Sequence, residues 1–210
     1  MNQVLLAGGW ILIGVAAGWF VRWGSVRLAK LEGLEPGSLR WQVFGPPVLS
    51  GILFGVFAFH FGMSPTLLIK SAFILVLVQV IFFDFEHRLI LDRVIFPAMA
   101  LALFVSLFGN PWWAGIATGL GAGLLFLLLA LAGSAIFKAE ALGFGDVKLA
   151  AFMGLLLGPL PTIRALFYGV FLAGLISIGI IIWRRSMKGS IAYGPYLAAG
   201  ALIVLFQLPQ

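Results

Sequence analysis

The sequence contains no cysteine and very few charged residues. Of its 210 residues, 13 are Lys or Arg and 7 are Asp or Glu, so that 10% are charged. A soluble domain carries roughly 25% charged residues, so an ordinary soluble protein is excluded because too little polar surface is present to cover a folded body. Intrinsic disorder is excluded too, since it requires low hydrophobicity and high net charge. Without cysteine, the sequence has no disulfide, thiolate zinc site or cysteine nucleophile.

What the sequence does contain is long apolar runs, with 62% hydrophobic residues and 27 glycines. A helix needs about 20 apolar residues to cross a bilayer, and backbone groups in lipid must be satisfied within the helix. The candidate spans are 4–22, 44–62, 67–83, 94–109, 113–136, 149–158, 163–183 and 193–207. We therefore expect an all-α, polytopic membrane protein with about eight transmembrane helices, forming one membrane-embedded domain over 1–210.

Two of these spans need a separate interpretation. The span at 149–158 is short and ends in Gly158-Pro159-Leu160-Pro161, which breaks a helix. It is either a half-helix or a helix that begins a few residues earlier. The first apolar run has neither a basic segment before it nor an A-x-A cleavage site after it, so we interpret it as a retained span and not a signal peptide.

The basic residues indicate the orientation in the membrane. With the N-terminus outside, 11 of the 13 lie in cytoplasmic loops, and only Lys70 and Arg164 lie on the other side. The eleven are Arg22, Arg27, Lys30, Arg40, Arg88, Arg93, Lys138, Lys148, Arg184, Arg185 and Lys188. This asymmetry follows the positive-inside rule. It explains the net charge of +6 better than nucleic-acid binding does, since the basic residues are scattered along the chain.

All seven acidic residues fall on the cytoplasmic side in this topology. They are Glu32, Glu35, Asp84, Glu86, Asp92, Glu140 and Asp146. Asp84 and Asp146 lie closest to the apolar runs and are 62 residues apart, which leaves room for two intervening spans. Two converging aspartates can hydrolyse a peptide bond, one as general base towards water and the other, protonated, as acid. Such a pair shares a proton and titrates as a unit.

The residues around Asp146 suggest how the two roles divide. Gly143 and Gly145 allow a peptide substrate to approach the backbone closely. Asp146 precedes a helical run and fits an N-cap, where the helix dipole favours a charged carboxylate. Lys148 either steadies Asp146 or extends to the lipid headgroups. We therefore expect Asp146 to stay ionised, and Asp84 to hold the proton.

At this point the sequence resembles the type IV prepilin peptidases, which are G-x-G-D aspartic proteases of the bacterial inner membrane. GFGDVKLA at 143–150 matches their signature, and DFEHRLILD at 84–92 is similar to their first-aspartate segment. The segments at 14–28 and 191–201 are similar to the family's first span and C-terminal region.

The resemblance implies a multi-pass membrane peptidase with Asp84 and Asp146 as catalytic residues on the cytoplasmic side. Gly143, Gly145 and Lys148 are then the motif residues that position substrate. The implied substrates are type IV prepilins or pseudopilins, cut after a glycine, with no cofactor required for proteolysis. Many members also methylate the new N-terminus with S-adenosylmethionine.

The sequence departs from the family pattern in two places. Leu91 stands where the family usually has proline. The first cytoplasmic loop, 23–43, is short and lacks the paired Cys-x-x-Cys motifs of full-length members, which predicts a short form and puts the methyltransferase activity in question.

Simpler roles compete for several residues. Asp92 is the alternative first acid, although Arg93 beside it favours a salt-bridged surface role. Glu86 and Glu140 are interpreted as solvated loop residues. The spacing of His, Asp and Glu predicts no metal site. Gly115, Gly119 and Gly123, four residues apart, predict a helix-packing face.

Two other functions remain open. A proton- or ion-coupled transporter also uses acidic residues in membranes, but it predicts acids near the bilayer midplane. A non-catalytic assembly factor that binds pilin-like helices is the other alternative.

Overall fold

A computed structural model describes residues 3–137, 142–184 and 192–208 of the chain. Within these residues all regular structure is α-helical. The helices are α1 Gln3–Leu31, α2 Arg40–Phe61, α3 Pro65–His87, α4 Asp92–Ser106, α5 Ala114–Phe137, α6 Phe144–Leu157, α7 Pro159–Arg184 and α8 Gly194–Gln207. The prediction of an all-α polytopic membrane protein with about eight helices is confirmed.

The helices fall into two length classes. Five of them, α1, α2, α3, α5 and α7, are long and apolar enough to cross a membrane. The other three, α4, α6 and α8, have 15, 14 and 14 residues. At a rise of 1.5 Å per residue they extend for roughly 21–23 Å, less than the ~30 Å hydrocarbon core. The protein is therefore a multi-pass membrane protein, but only five of the eight predicted crossings have the length of a full span.

The chain divides into two compact helical units, with the boundary between Arg88 and Leu89. The first unit contains α1 to α3, and the second contains α4 to α8. The prediction of one domain over 1–210 stays a prediction.

In the first unit, α1 and α2 pack closely through glycine. A Cβ at Gly18 would lie 2.6 Å from the Pro46 carbonyl oxygen, and one at Gly14 would lie 2.6 Å from the Ser50 carbonyl oxygen. Small residues let helix backbones approach in this way, which replaces the hydrophobic force that lipid does not supply.

The predicted loop 23–43 is much shorter than expected. α1 runs on to Leu31 and α2 already begins at Arg40, so only residues 32–39 connect them. Hydropathy marks the apolar segment but not the end of the helix, and the 29 residues of α1 extend for roughly 44 Å.

Polar contacts between α1 and α3 show that these two helices run in the same direction. Near their N-terminal ends, the Trp10 indole Nε1 donates to the Ser71 hydroxyl at 3.2 Å. Further along, the Ser25 hydroxyl donates to the Gln79 Oε1 at 2.9 Å. The connection 32–39 and the C-terminal end of α3 consequently lie at the same end of this unit.

In the second unit, α6 is the central helix and packs against α4, α5, α7 and α8. Its closest neighbour is the glycine face of α5. A Cβ at Gly119 would lie 2.7 Å from Leu155 Cγ, and one at Gly123 would lie 3.1 Å from Ala151 Cβ. Gly115 approaches the Leu155 carbonyl in the same way. The predicted packing face is confirmed.

A tight turn joins α6 to α7. Gly158, with φ at +75°, follows α6 directly, and Pro159 begins α7. The Thr162 hydroxyl donates to the carbonyl oxygen of Gly158 at 2.5 Å and lies 3.3 Å from that of Met153. The Gly-Pro breaker was therefore predicted correctly, and the short span at 149–158 begins earlier, at Phe144.

Candidate active site

Asp84 lies in the last turn of α3, and its residue is only 5% exposed. The helix ends just after it in an unusual way. Arg88, with φ at +54° and ψ at 40°, adopts the left-handed conformation, and its N–H donates to the Asp84 carbonyl at 2.8 Å. Glycine usually occupies this position, since a left-handed non-glycine residue costs roughly 1–2 kcal/mol. The end of α3 therefore stops sharply one turn after the carboxylate.

Glu86 is buried, so its interpretation as a solvated loop residue is wrong. Its side chain is 4% exposed and its Oε2 lies 3.1 Å from Nη1 of Arg22, whose side chain is 8% exposed. Glu86 also accepts a hydrogen bond from the Gly37 N–H, while Arg22 donates to the Gly37 carbonyl. Arg22 belongs to α1 and not to a loop, because the helix continues past the apolar segment. The pair thus joins three segments of the first unit.

His87 extends this cluster. Its Nε2 lies 3.5 Å from Oε1 of Glu86, and its ring packs on Phe83 with the centroids 4.6 Å apart. The imidazole therefore lies beside the carboxylate of Glu86, and its side chain is 9% exposed.

Asp146 lies in the first turn of α6 and is 8% exposed. The helix begins with Gly143 as its N-cap, so the expectation that Asp146 is the cap is wrong. Asp146 occupies the third helical position, its N–H donates to the Gly143 carbonyl at 3.0 Å, and a Cβ at Gly143 would lie 3.5 Å from its Oδ2. The carboxylate therefore folds back over the start of the helix, where the dipole stabilises an anion by about 0.3–1 kcal/mol.

Gly145 is held against the residues that lead into α4. A Cβ at Gly145 would lie 3.0 Å from Ile90 Cβ and 3.3 Å from its Cγ1. Ile90 and Leu91 are both buried. The second glycine of the motif therefore permits this close packing, which fixes the start of α6 against the segment 89–91.

Lys148 lies near the start of α6 and pairs with an acidic residue of α4. Its Nζ forms an ion pair with Oδ1 of Asp92, and lies 5.0 Å from the Phe144 ring centroid and 5.2 Å from that of Phe96. Asp92 has a side chain that is 54% exposed. Its predicted salt-bridged surface role is thus observed, although its ion-pair partner is Lys148 on α6. The starts of α4 and α6 consequently lie at one end of the second unit.

Leu91, where the resemblance predicts proline, has a backbone conformation suited to proline. It is the N-cap of α4 with φ at −69° and ψ at 123°. Proline fixes φ near −65°, so the backbone at Leu91 already has the φ that proline would impose. What leucine adds is a buried side chain, 4% exposed.

Each of the two aspartates is buried at a helix end within its own unit. Asp84 belongs to the unit that ends at Arg88, and Asp146 to the unit that begins at Leu89. Their convergence on one substrate stays a prediction. Glu140, together with Lys138, Arg185 and Lys188, lies outside the described residues.

The sequence did not reveal the contact of Arg22 and Glu86 with Gly37. The available signal was an arginine within the helix-forming run GWFVRWGSVRL at 18–28. A basic residue embedded among apolar residues has to find a partner when the helix continues through it.

One cavity lined by described residues can be compared with what S-adenosylmethionine requires. A cavity of about 260 Å³ between α5 and α7 is lined by Thr118, Gly121, Ala122, Leu125, Pro159, Thr162, Ile163 and Leu166. The adenine, ribose and charged groups of the methyl donor require polar partners, so this apolar cavity does not suit it. Among the same residues, no cluster of three His, Asp or Glu side chains could hold a metal ion. The expectation of metal-independent chemistry stays an expectation.

Comparison with known proteins gives relatives of one kind. Three are named prepilin leader peptidase/N-methyltransferase. The protein from Bacillus subtilis (strain 168) is 29% identical over 74% of this chain and 62% of its own length. The proteins from Neisseria gonorrhoeae and Stutzerimonas stutzeri are 31% and 27% identical, over 75% and 74% of this chain and 54% and 55% of their own lengths. The chain thus spans about 54–62% of the length of these curated relatives. No solved structure matches it significantly.

A family model matches a continuous part of the chain that contains both buried aspartates. It is the type IV leader peptidase family, and the match covers residues 71–178, about half of the chain. Taken with the relatives, this match shows that the chain belongs to the type IV leader peptidase family.

Proposed function

We propose that the protein is an aspartic endopeptidase that removes leader peptides from type IV prepilin-like or pseudopilin precursors at the cytoplasmic face of a bacterial inner membrane. The observation that carries the proposal is the burial of Asp84 and Asp146 at the ends of two helices, both within the family match. The names of the relatives support the substrate class.

The helix ends support a division of roles between the two carboxylates. Asp146 lies at the N-terminal end of α6, where the helix dipole favours an anion, and Asp84 lies at the C-terminal end of α3, where it disfavours one. Asp146 would then act as the base that takes a proton from water. Asp84 would polarise the scissile carbonyl and protonate the leaving amine.

The placement of the acids at helix ends supports a peptidase over a transporter. A transporter concentrates ionisable groups near the bilayer midplane, where broken helices meet. Here the hydrophobic helix of a precursor would lie among the spans, and its leader would extend to the carboxylates at the membrane face. Burial of that helix would supply affinity, and the aspartates would supply the chemistry.

In each unit, one polar contact supports the placement of two helix ends or connections on the same side of the membrane. The contact of Gly37 with Glu86 brings the connection 32–39 to the end of α3. The Asp92–Lys148 ion pair joins the starts of α4 and α6. Basic residues near these ends support the cytoplasmic side, since Lys and Arg accumulate there.

Cleavage of a prepilin reporter in membranes tests the proposal. Asp84→Asn and Asp146→Asn should each lower kcat by about 10²–10⁴-fold, which is the usual effect of removing an acid or base. Asp92→Asn is the matched control and should retain cleavage, because Asp92 is an exposed surface residue paired with Lys148. Normal processing by either of the first two variants would contradict the role of that residue. Loss of cleavage in Asp92→Asn alone would make Asp92 the first acid.

The cleaved product shows which bond is cut and whether the new N-terminus is methylated. Mass spectrometry of the new N-terminus reports both the bond that was cut and any methyl group. Cleavage after glycine without methylation is the expected result, since the chain lacks the cysteine motifs of full-length members. A methylated product would show that methyl transfer does not depend on those motifs.

A further inference from the structure

We propose that Glu86 is a positioning residue for Asp84, and that together with Arg22 it fixes the last turn of α3 in the orientation needed for proteolysis. The inference rests on the proposed function, because it concerns the same reaction. Glu86 is not expected to touch substrate: its side chain is 4% exposed and is occupied by Arg22 and Gly37.

The first step of the argument concerns the position of both residues on one helix turn. Residues on an α-helix are separated by 100°, so Asp84 and Glu86 point about 200° apart. Glu86 therefore holds the face of α3 that looks towards α1, and Asp84 occupies the opposite face. Any rotation of this turn that frees Glu86 also displaces the carboxylate of Asp84.

The second step concerns what would happen without Glu86. Helix ends fray, since their last carbonyls have no partner within the helix. α3 ends at His87, only three residues after Asp84. The Arg88 N–H satisfies the Asp84 carbonyl, and Glu86 ties the same turn to α1 and to Gly37. Besides the bonds within α3, the turn is thus held at its backbone by the Arg88 N–H and at the Glu86 side chain by two neighbouring segments.

The third step concerns Gly37, which has room for both partners only because it lacks a side chain. A Cβ at Gly37 would clash with the Glu86 carboxylate and with the Gln42 side-chain amide. Gln42 in turn accepts a hydrogen bond from the Leu39 N–H at 2.9 Å. The short connection 32–39 therefore has a defined conformation in which it contacts the turn that carries Asp84.

The test compares Glu86→Gln with Glu35→Gln, an exposed glutamate of the same connection. Glutamine keeps the size and an acceptor but removes the charge that neutralises Arg22. In the reporter assay, Glu86→Gln should lower kcat about 10–100-fold with KM within twofold, because a misplacement near 1 Å can cost 10²-fold. Hydrogen exchange at residues 80–88 should rise in Glu86→Gln and stay at the wild-type level in Glu35→Gln.

A second variant separates positioning from stability. Arg22→Leu combined with Glu86→Leu removes both charges, so that no buried charge is left unpaired. It should melt within a few degrees of the wild type and still show the lowered kcat. A wild-type kcat in this double variant would overturn the inference. A wild-type kcat in Glu86→Gln, measured together with an active wild type, would also overturn it. Absence of cleavage by the wild type would instead overturn the proposed function.

Discussion

The close approach of α5 and α6 predicts that Gly154→Ala destabilises the protein. Gly154 lies in the last turn of α6, and a Cβ there would stand 2.6 Å from both the Cα and the nitrogen of Gly119 and 2.6 Å from the Thr118 carbonyl oxygen. All three atoms belong to the backbone of α5, so no side chain can rotate away. An ordinary carbon contact is about 3.5–4.0 Å, so the two helices have to separate by roughly 1 Å.

The size of the effect follows from this separation. A gap of 0.5–1 Å forfeits about a quarter to a half of each dispersion contact, and overpacked cores lose about 1–3 kcal/mol. Lipid adds no compensating hydrophobic force between helices. Alanine also gains about 1 kcal/mol over glycine from helix propensity, so a control with the same gain is needed.

Gly121→Ala supplies that control, because a Cβ at Gly121 meets nothing within 4 Å. The difference in the free energy of unfolding between the two variants then isolates the clash, about 1–3 kcal/mol. For a chain of this size it corresponds to a thermal midpoint roughly 2–12 °C lower in Gly154→Ala. The fluorescence of the 7 tryptophans in detergent micelles reports the transition. Equal midpoints for the two variants would refute the reasoning.

Two further predictions concern the segment between Asp84 and α4. Arg88→Gly should be more stable than Arg88→Ala by about 1 kcal/mol, since both lose the side chain but only glycine adopts φ +54° freely; equal thermal midpoints would contradict a left-handed end of α3. Leu91→Pro should be at least as stable as Leu91→Ala, with a free energy of unfolding up to about 1 kcal/mol higher. Both variants lose the buried leucine atoms, but the backbone φ of −69° already suits proline. Chemical denaturation of the purified variants measures this difference, and a Leu91→Pro variant less stable than Leu91→Ala would show that the turn does not tolerate proline.

Local patterns were sufficient for most of the fold. Apolar runs located all eight helices, because the requirement for internal hydrogen bonding leaves few alternatives in lipid. The four-residue spacing of Gly115, Gly119 and Gly123 identified the face of α5 that packs on α6, since residues at this spacing share one side of a helix. The extent of α1 was not predictable from hydropathy. Hydropathy falls where the hydrocarbon core ends, but α1 continues beyond that point to Leu31.

The two aspartates were found from their positions at the ends of apolar runs, but their surroundings were not. Glu86 was interpreted as a solvated loop residue, but its side chain is 4% exposed. Its actual partners, Arg22 and Gly37, are 64 and 49 residues away along the chain. The N-cap of α6 was misplaced because aspartate is a common cap, whereas Gly143 occupies this position and the helix begins three residues earlier.

The unequal helix lengths determine how the protein responds to the thickness of its membrane. α7, with 26 residues, is roughly 39 Å long, and α6, with 14, is roughly 21 Å long. A helix longer than the hydrocarbon core accommodates a change in bilayer thickness by changing its tilt. α6 has four helical neighbours and only Phe144 is exposed along its length, so lipid hardly reaches it. Changes in lipid composition therefore act on the outer helices, while the helix that carries Asp146 is insulated from them.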